Sequence, residues 1–160
     1  MLRYKGYYAS VEFDEDGGVL HGEEEDGHWM EARNESYARA FGLIHHRRFH
    51  LANDGQELIG EDHLSRAPHA AAAKRGRTPR GPADVPFTVR FHLHPSVKAS
   101  LVADGSEILM RLPGGIGWTF AADTESVSLE ESVYMGRPGE IRRTEQIVLT
   151  GHTRGLNAVV

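Results

Sequence analysis

The sequence predicts an all-β fold, an antiparallel β-sandwich or layered β-sheet domain with a mobile loop, and three observations predict it. The stretch from Phe87 to Gly151 reads as short alternating strands broken by turn signals. Within it Val89, Phe91 and Leu93 share one strand face while Arg90, His92 and His94 share the other, so a slip of one residue would invert the buried set. Turn signals at Ala103-Asp104-Gly105, Pro113-Gly114-Gly115 and Arg137-Pro138-Gly139 then recur at the spacing of a sandwich, with no internal repeat or heptad.

Ahead of that stretch, residues 4–22 read as a hairpin in which Tyr7, Ala9, Val11 and Phe13 alternate, Asp14 to Gly18 turn, and Val19 and Leu20 begin the return strand. A second turn is expected at Asp26-Gly27. Apolar Phe41, Leu43, Phe49 and Leu51 sit at strand-like intervals, so Ala40 to Ala52 is expected to be a strand. The Asn53-Asp54-Gly55 turn and the Leu58-Ile59 pair after it favour a hairpin over a helix. Residues 66–86 combine an alanine run with four prolines, two glycines and five basic groups, a composition that suits a solvated loop and not a sheet.

Composition narrows the function classes. At 160 residues, with 39% hydrophobic and 26% charged side chains, the chain is expected to be one globular unit with its own core. A net charge of −5 gives no electrostatic footprint for nucleic acid or for an anionic membrane surface. Without cysteine there is no disulfide, thiolate metal site or cysteine nucleophile. No signal peptide is visible, and no segment approaches the roughly 20 apolar residues of a transmembrane helix. No serine sits in a G-x-S-x-G elbow, and Gly114, Gly115 and Gly117 lack the lysine and the strand-to-helix setting of a phosphate loop. No cofactor is expected.

Several blocks carry a family resemblance. Tyr37 to Phe49 (YARAFGLIHHRRF) and the Gly60-Glu61-Asp62 turn are followed by Phe91 to Pro95 (FHLHP), Leu109 to Pro113 (LMRLP) and Gly117 to Phe120 (GWTF). Leu129 to Gly136 (LEESVYMG) and Arg142 to Leu149 (RRTEQIVL) complete the order. This ordered set, over about residues 23–151, resembles the C-terminal part of the heparinase II/III family of polysaccharide lyases. The resemblance implies a large enzyme, with an α/α-toroid followed by antiparallel β-layers, that cleaves acidic polysaccharide by β-elimination. The family's catalytic tyrosine and its histidine or asparagine lie on the toroid, and a further histidine and a metal site lie early in the β-region. No block with those residues is matched here, so no catalytic residue and no metal ligand is carried over. Residues 4–22 resemble instead the opening hairpin of HicB-type antitoxins; the helix and DNA-binding tail of such antitoxins are not matched. A fused or truncated reading frame would carry both resemblances, with residues 1–22 as a hairpin and 23–160 as the lyase-like domain.

The candidate binding residues are His46, Arg48 and His50 on one strand face, His45 and Arg47 on the other, and the H-x-H pair His92 and His94. Arginine forks suit carboxylate and sulfate; the competing role is internal pairing with acids of neighbouring strands. The substrate-contact set is Arg47, Arg48, His46, His92 and His94. For the histidine pair, a place on the polar face of a strand competes with a ligand role. Trp118 can stack on a sugar or fill the core. The expected function is a lyase-family fragment acting as a structural or acidic-polysaccharide-contacting β-module, inactive alone as an enzyme. The alternative is a HicB-like interaction module. A sheet edge left bare by missing strands would favour self-association.

Overall fold

Strands dominate the chain, as expected. The computed structural model describes residues 2–4, 19–67, 85–123 and 126–153. Two compact bodies divide it, one of Met1–Tyr4 with Phe87–Gly151 and the other of Lys5–Pro86 with His152–Val160.

In the second body, β2 (Val19–Glu23), β3 (Gly27–Asn34), β4 (Leu43–Ala52) and β5 (Leu58–Arg66) follow one another as antiparallel neighbours. The acidic turn at Asp26-Gly27 forms where expected, closed by Glu24 N–H to the Gly27 carbonyl at 2.8 Å. Val19 and Leu20 pair with Ala32 and Glu31 of β3; the earlier partner expected for them, Tyr7 to Phe13, lies outside the described residues. The Asn53-Asp54-Gly55 turn also forms, with Gly55 at φ 66°, and joins Leu51 to Leu58 across the β4–β5 pair.

Two local expectations are corrected here. The strand expected from Ala40 begins only at Leu43, because Ala38–Phe41 forms a single helical turn, α1. Gly42, at φ 70°, ends that turn by donating its N–H to the Ala38 carbonyl at 3.0 Å, a left-handed stop that suits a residue with no Cβ. Phe41 is accordingly left 56% exposed while Leu43 and Ile44 are buried. The Gly60-Glu61-Asp62 block, expected as a turn, is the middle of β5 and pairs with Phe49, Arg48 and Arg47.

The first body contains β1 (Leu2–Tyr4), β6 (Val85–His92, of which Phe87 onward belongs here), β7 (Lys98–Val102), β8 (Glu107–Arg111), β9 (Gly117–Ala122), β10 (Ser126–Arg137) and β11 (Glu140–Thr153, of which the residues up to Gly151 belong here). β7, β8 and β9 form an antiparallel meander, and β1 joins β9 in parallel through Leu2 opposite Phe120. A second sheet runs β10-β11-β6. All three expected turns appear: Asp104 takes φ 58° beside Gly105, Gly114 and Gly115 sit at φ 92° and 86°, and Gly139 at φ 77°. β6 keeps the expected alternation, with Val89 and Phe91 half-buried and Arg90 and His92 exposed. It ends at His92, so Leu93 and His94 lie just past it.

The core of this body lies where the two sheets face. Phe91 of β6 meets Phe120 of β9 at 5.6 Å between ring centroids. Ile108, Phe120, Ile147, Val148 and Leu149 are each no more than 2% exposed. Gln146 to Leu149 is buried without alternation, the pattern of a strand covered on both faces. Of the expected loop at 66–86, residues 68–84 lie outside the described residues, while Arg66 closes β5 and Val85-Pro86 opens β6. A proline is tolerated that near a strand start.

Candidate functional site

Pairing register organises the site. Across β3, β4 and β5, one sheet face carries three rows: Arg33–His46–His63, Glu31–Arg48–Glu61 and Trp29–His50–Ile59. The other face carries Asn34–His45–Leu64 and Ala32–Arg47–Asp62. The split of His46, Arg48 and His50 from His45 and Arg47 is therefore the one that a period of two requires.

Arg47 is committed to Asp62 through two parallel bonds, Nε to Oδ1 and Nη2 to Oδ2, each 2.7 Å. The ring of His45 meets the same carboxylate through Nε2. Asp62 is only 2% exposed, so this face holds a buried carboxylate with two basic partners.

On the opposite face the row Arg33–His46–His63 gathers three basic side chains, with Glu35 beside Arg33 and Glu61 3.8 Å from His63. His46 contacts Ser65 Oγ through Nε2 at 3.0 Å, and its pKa is pushed down to about 4, first by burial and then by Arg33, His63 and His45. Arg33 pairs with Glu35 at 2.5 Å through Nη2, but its Nε is buried without a hydrogen-bond partner. In the next row Arg48 donates to Glu24 at 3.0 Å, lies 3.4 Å from Glu31 and covers the Trp29 ring at 5.7 Å. That indole in turn lies against Gly22, where a Cβ would come within 2.9 Å of the ring. Glu24, Asp26, Arg48, His50, Ile59 and Glu61 line an open cleft of about 220 Å³. The face thus has a basic end and an acidic end.

His92 and His94 belong to the other body. His92 Nδ1 contacts Ser132 Oγ at 2.8 Å. His94 Nδ1 contacts Ser96 Oγ at 2.7 Å and accepts the Ser96 N–H at 3.2 Å, with the imidazole edge-on to Tyr134. Trp118 is half-buried opposite Met110, two residues before buried Phe120. Arg142 and Arg143 lie 3.7 and 4.0 Å from Glu140 and Glu131. Sequence reasoning missed Arg33, His63, Trp29, Glu24 and Asp26 as site members. Arg33, His63 and Trp29 were signalled only as period-two strand positions whose partners depend on register, and Glu24 and Asp26 only as acids around an expected turn.

A family model described as heparinase II/III-like, C-terminal, matches residues 10–160. The chain belongs to this heparinase II/III-like family. The match extends the resemblance beyond 23–151 and begins inside the segment 4–22 compared with HicB antitoxins, a comparison that no match supports. A relative, "FtsZ-localized protein C" of Caulobacter vibrioides, is 39% identical over 128 residues. That alignment covers 80% of this heparinase-like chain and 21% of the relative, so the chain spans about a fifth of the length of the curated protein it matches. No solved structure matches the chain.

Proposed function

We propose that this chain serves as the non-catalytic β-module of a heparinase-like protein and contacts acidic polysaccharide through the basic end of the β3–β5 face. The observation that carries the reading is the cross-strand row Arg33–His46–His63. Burial first, and then the neighbouring Arg33, His63 and His45, disfavour a proton on His46, and Arg33 Nε has no hydrogen-bond acceptor although its Nη2 pairs with Glu35. A carboxylate or sulfate drawn to this row would add a counter-charge to Arg33, whose guanidinium must turn outward to bring Nε to it. Arg48, one row away beside the Trp29 ring, is more exposed than Arg47 and would exchange its surface contacts with Glu24 and Glu31 for the ligand. Arg47 enters only as a support for the strand, since its fork is spent on Asp62. His92 and His94, on the other body, are kept as secondary contacts.

The test is binding of a uronate polysaccharide such as heparin to the whole chain by calorimetry at low and moderate ionic strength. Affinity is expected to fall with salt and to drop in Arg33→Gln and Arg48→Gln. No heat at low ionic strength, or an affinity indifferent to salt, would remove the reading.

A second reading comes from the relative. Its name places that protein with FtsZ, and the shared β-module suggests that this chain serves a protein gathered at the same place. A fluorescent fusion that stays diffuse in cells with assembled FtsZ would argue against it.

A further inference from the structure

At the acidic end of the same face, Glu24, Asp26 and His50 each offer one donor atom, and the three atoms lie within 4.8 Å of one another. We propose that these residues form a binding site for a single divalent transition-metal ion of the zinc class. The inference goes beyond the polysaccharide reading and does not depend on it.

The first support is the state of His50. Its Nε2 is closed to solvent and makes no hydrogen bond, although Asp26 Oδ1 is only 3.3 Å away. A buried imidazole nitrogen facing a carboxylate without bonding to it is short of a partner. Two donors held about 2.0–2.1 Å from one tetrahedral ion stand roughly 3.3–3.4 Å apart, so this spacing already fits a shared ion.

The second support is that the His50 ring and the backbone of the turn that carries both carboxylates are held in place without the ion. The His50 ring is packed on Gly27, where a Cβ would come within 2.7 Å of Nε2 and 2.8 Å of Cε1. The turn carrying Glu24 and Asp26 is tied to the residue after β4, because Asn53 donates its N–H to the Asp26 carbonyl and its Nδ2 to the Glu25 carbonyl, each at 3.0 Å. The ordering left to be lost on binding is therefore mainly that of the exposed Glu24 and Asp26 side chains.

The third support is charge. Two carboxylates and an imidazole suit a borderline ion, whereas calcium and magnesium take all-oxygen shells. Arg48 now occupies Glu24 at 3.0 Å. An arriving ion displaces that contact, and Arg48 keeps Glu31 at 3.4 Å and the Trp29 ring. Glu61 lines the same cleft, whose open side leaves room for water on the ion.

The test uses the full chain, stripped of metal, titrated with zinc sulfate by calorimetry and followed by long-range imidazole NMR. One ion per chain is expected, with a shift of His50 Nε2 on binding, at least a tenfold loss of affinity in Asp26→Asn and in His50→Gln, and no competition from millimolar calcium. Cobalt should give the visible absorption of a low-coordinate site. The absence of zinc binding would overturn the proposal. So would binding that leaves the His50 ring unshifted and survives Asp26→Asn, since the ion would then sit on other histidines. Asp26 is an exposed turn residue, so its variant decides the matter even if His50→Gln fails to fold.

Discussion

Arg47 and Asp62 face each other on adjacent strands and are joined by two parallel hydrogen bonds of 2.7 Å, with the carboxylate almost wholly out of solvent. Two such bonds fix both side chains in plane, and His45 meets the same carboxylate. Asp62→Ala leaves Arg47 and His45 facing each other without their acid. We expect a loss of about 3–5 kcal/mol, read as a fall in the urea midpoint. The double change Arg47→Met with Asp62→Leu is expected to cost much less. Equal losses in the two variants would show that packing, not the unpaired charge, sets the cost.

His46 makes stability depend on pH in a defined direction. Its folded pKa, about 4, lies below the ordinary histidine value of 6.5, so the unfolded chain binds the proton more readily. Stability from this group is complete above about pH 6.5 and is lost as pH falls toward 4. Because the side chain is only partly buried, we expect roughly 1 kcal/mol once solvent screening is allowed for. His46→Gln should flatten thermal midpoints measured between pH 7 and 4.5. An unchanged slope in the variant would assign the effect to other groups.

Gly151 of β11 leaves room for the Phe87 ring of β6, and a Cβ there would lie 2.5 Å from Phe87 Cζ. Gly151→Val should cost about 1–3 kcal/mol by overpacking, partly recovered by Phe87→Leu. Phe120→Ala, which empties the contact with Phe91, should cost about 3–5 kcal/mol. Equilibrium unfolding in urea measures both. A Gly151→Val protein as stable as the parent would mean that the ring yields freely.

Charge screening separates the two ends of the β3–β5 face. Raising sodium chloride from about 20 to 200 mM should weaken polysaccharide binding on the order of tenfold, because the charges at the basic end are near the surface. Zinc affinity should change less over that range, being set by ligand bonds. Chromatography on immobilised heparin with and without zinc checks this. Elution of Arg33→Gln at the parent's salt concentration would detach the basic row from the interaction.

Much of the architecture was legible because its signals are local. Alternation of Phe87, Val89 and Phe91 marks a strand wherever the chain sits, and Gly55, Gly115 and Gly139 mark turns because their positive φ suits a residue without a Cβ. The ordered blocks from Tyr37 to Leu149 were enough to indicate the family. Phe41 misled the strand reading because its spacing fits both periods, and the left-handed Gly42 that separates helix from strand has an ambiguous signal in sequence.

The candidate site was half legible. A period of two put His46, Arg48 and His50 on one face and His45 and Arg47 on the other, from sequence alone. Which of them would be free for a ligand depended on register: one residue of slip would exchange the Asp62 partner of Arg47 for a neighbour on the other face. The parallel pairing of Leu2–Tyr4 with Phe120–Ala122 was likewise closed to sequence reasoning, because its partners lie more than a hundred residues apart. By itself the sequence determined strands, turns, faces and family, since these follow from backbone preference and side-chain period within a few residues. Tertiary structure alone decided that Arg47 belongs to Asp62 and that Glu24 and Asp26 meet His50, because hydrogen-bond register and turn geometry set distances between residues that are remote in the chain.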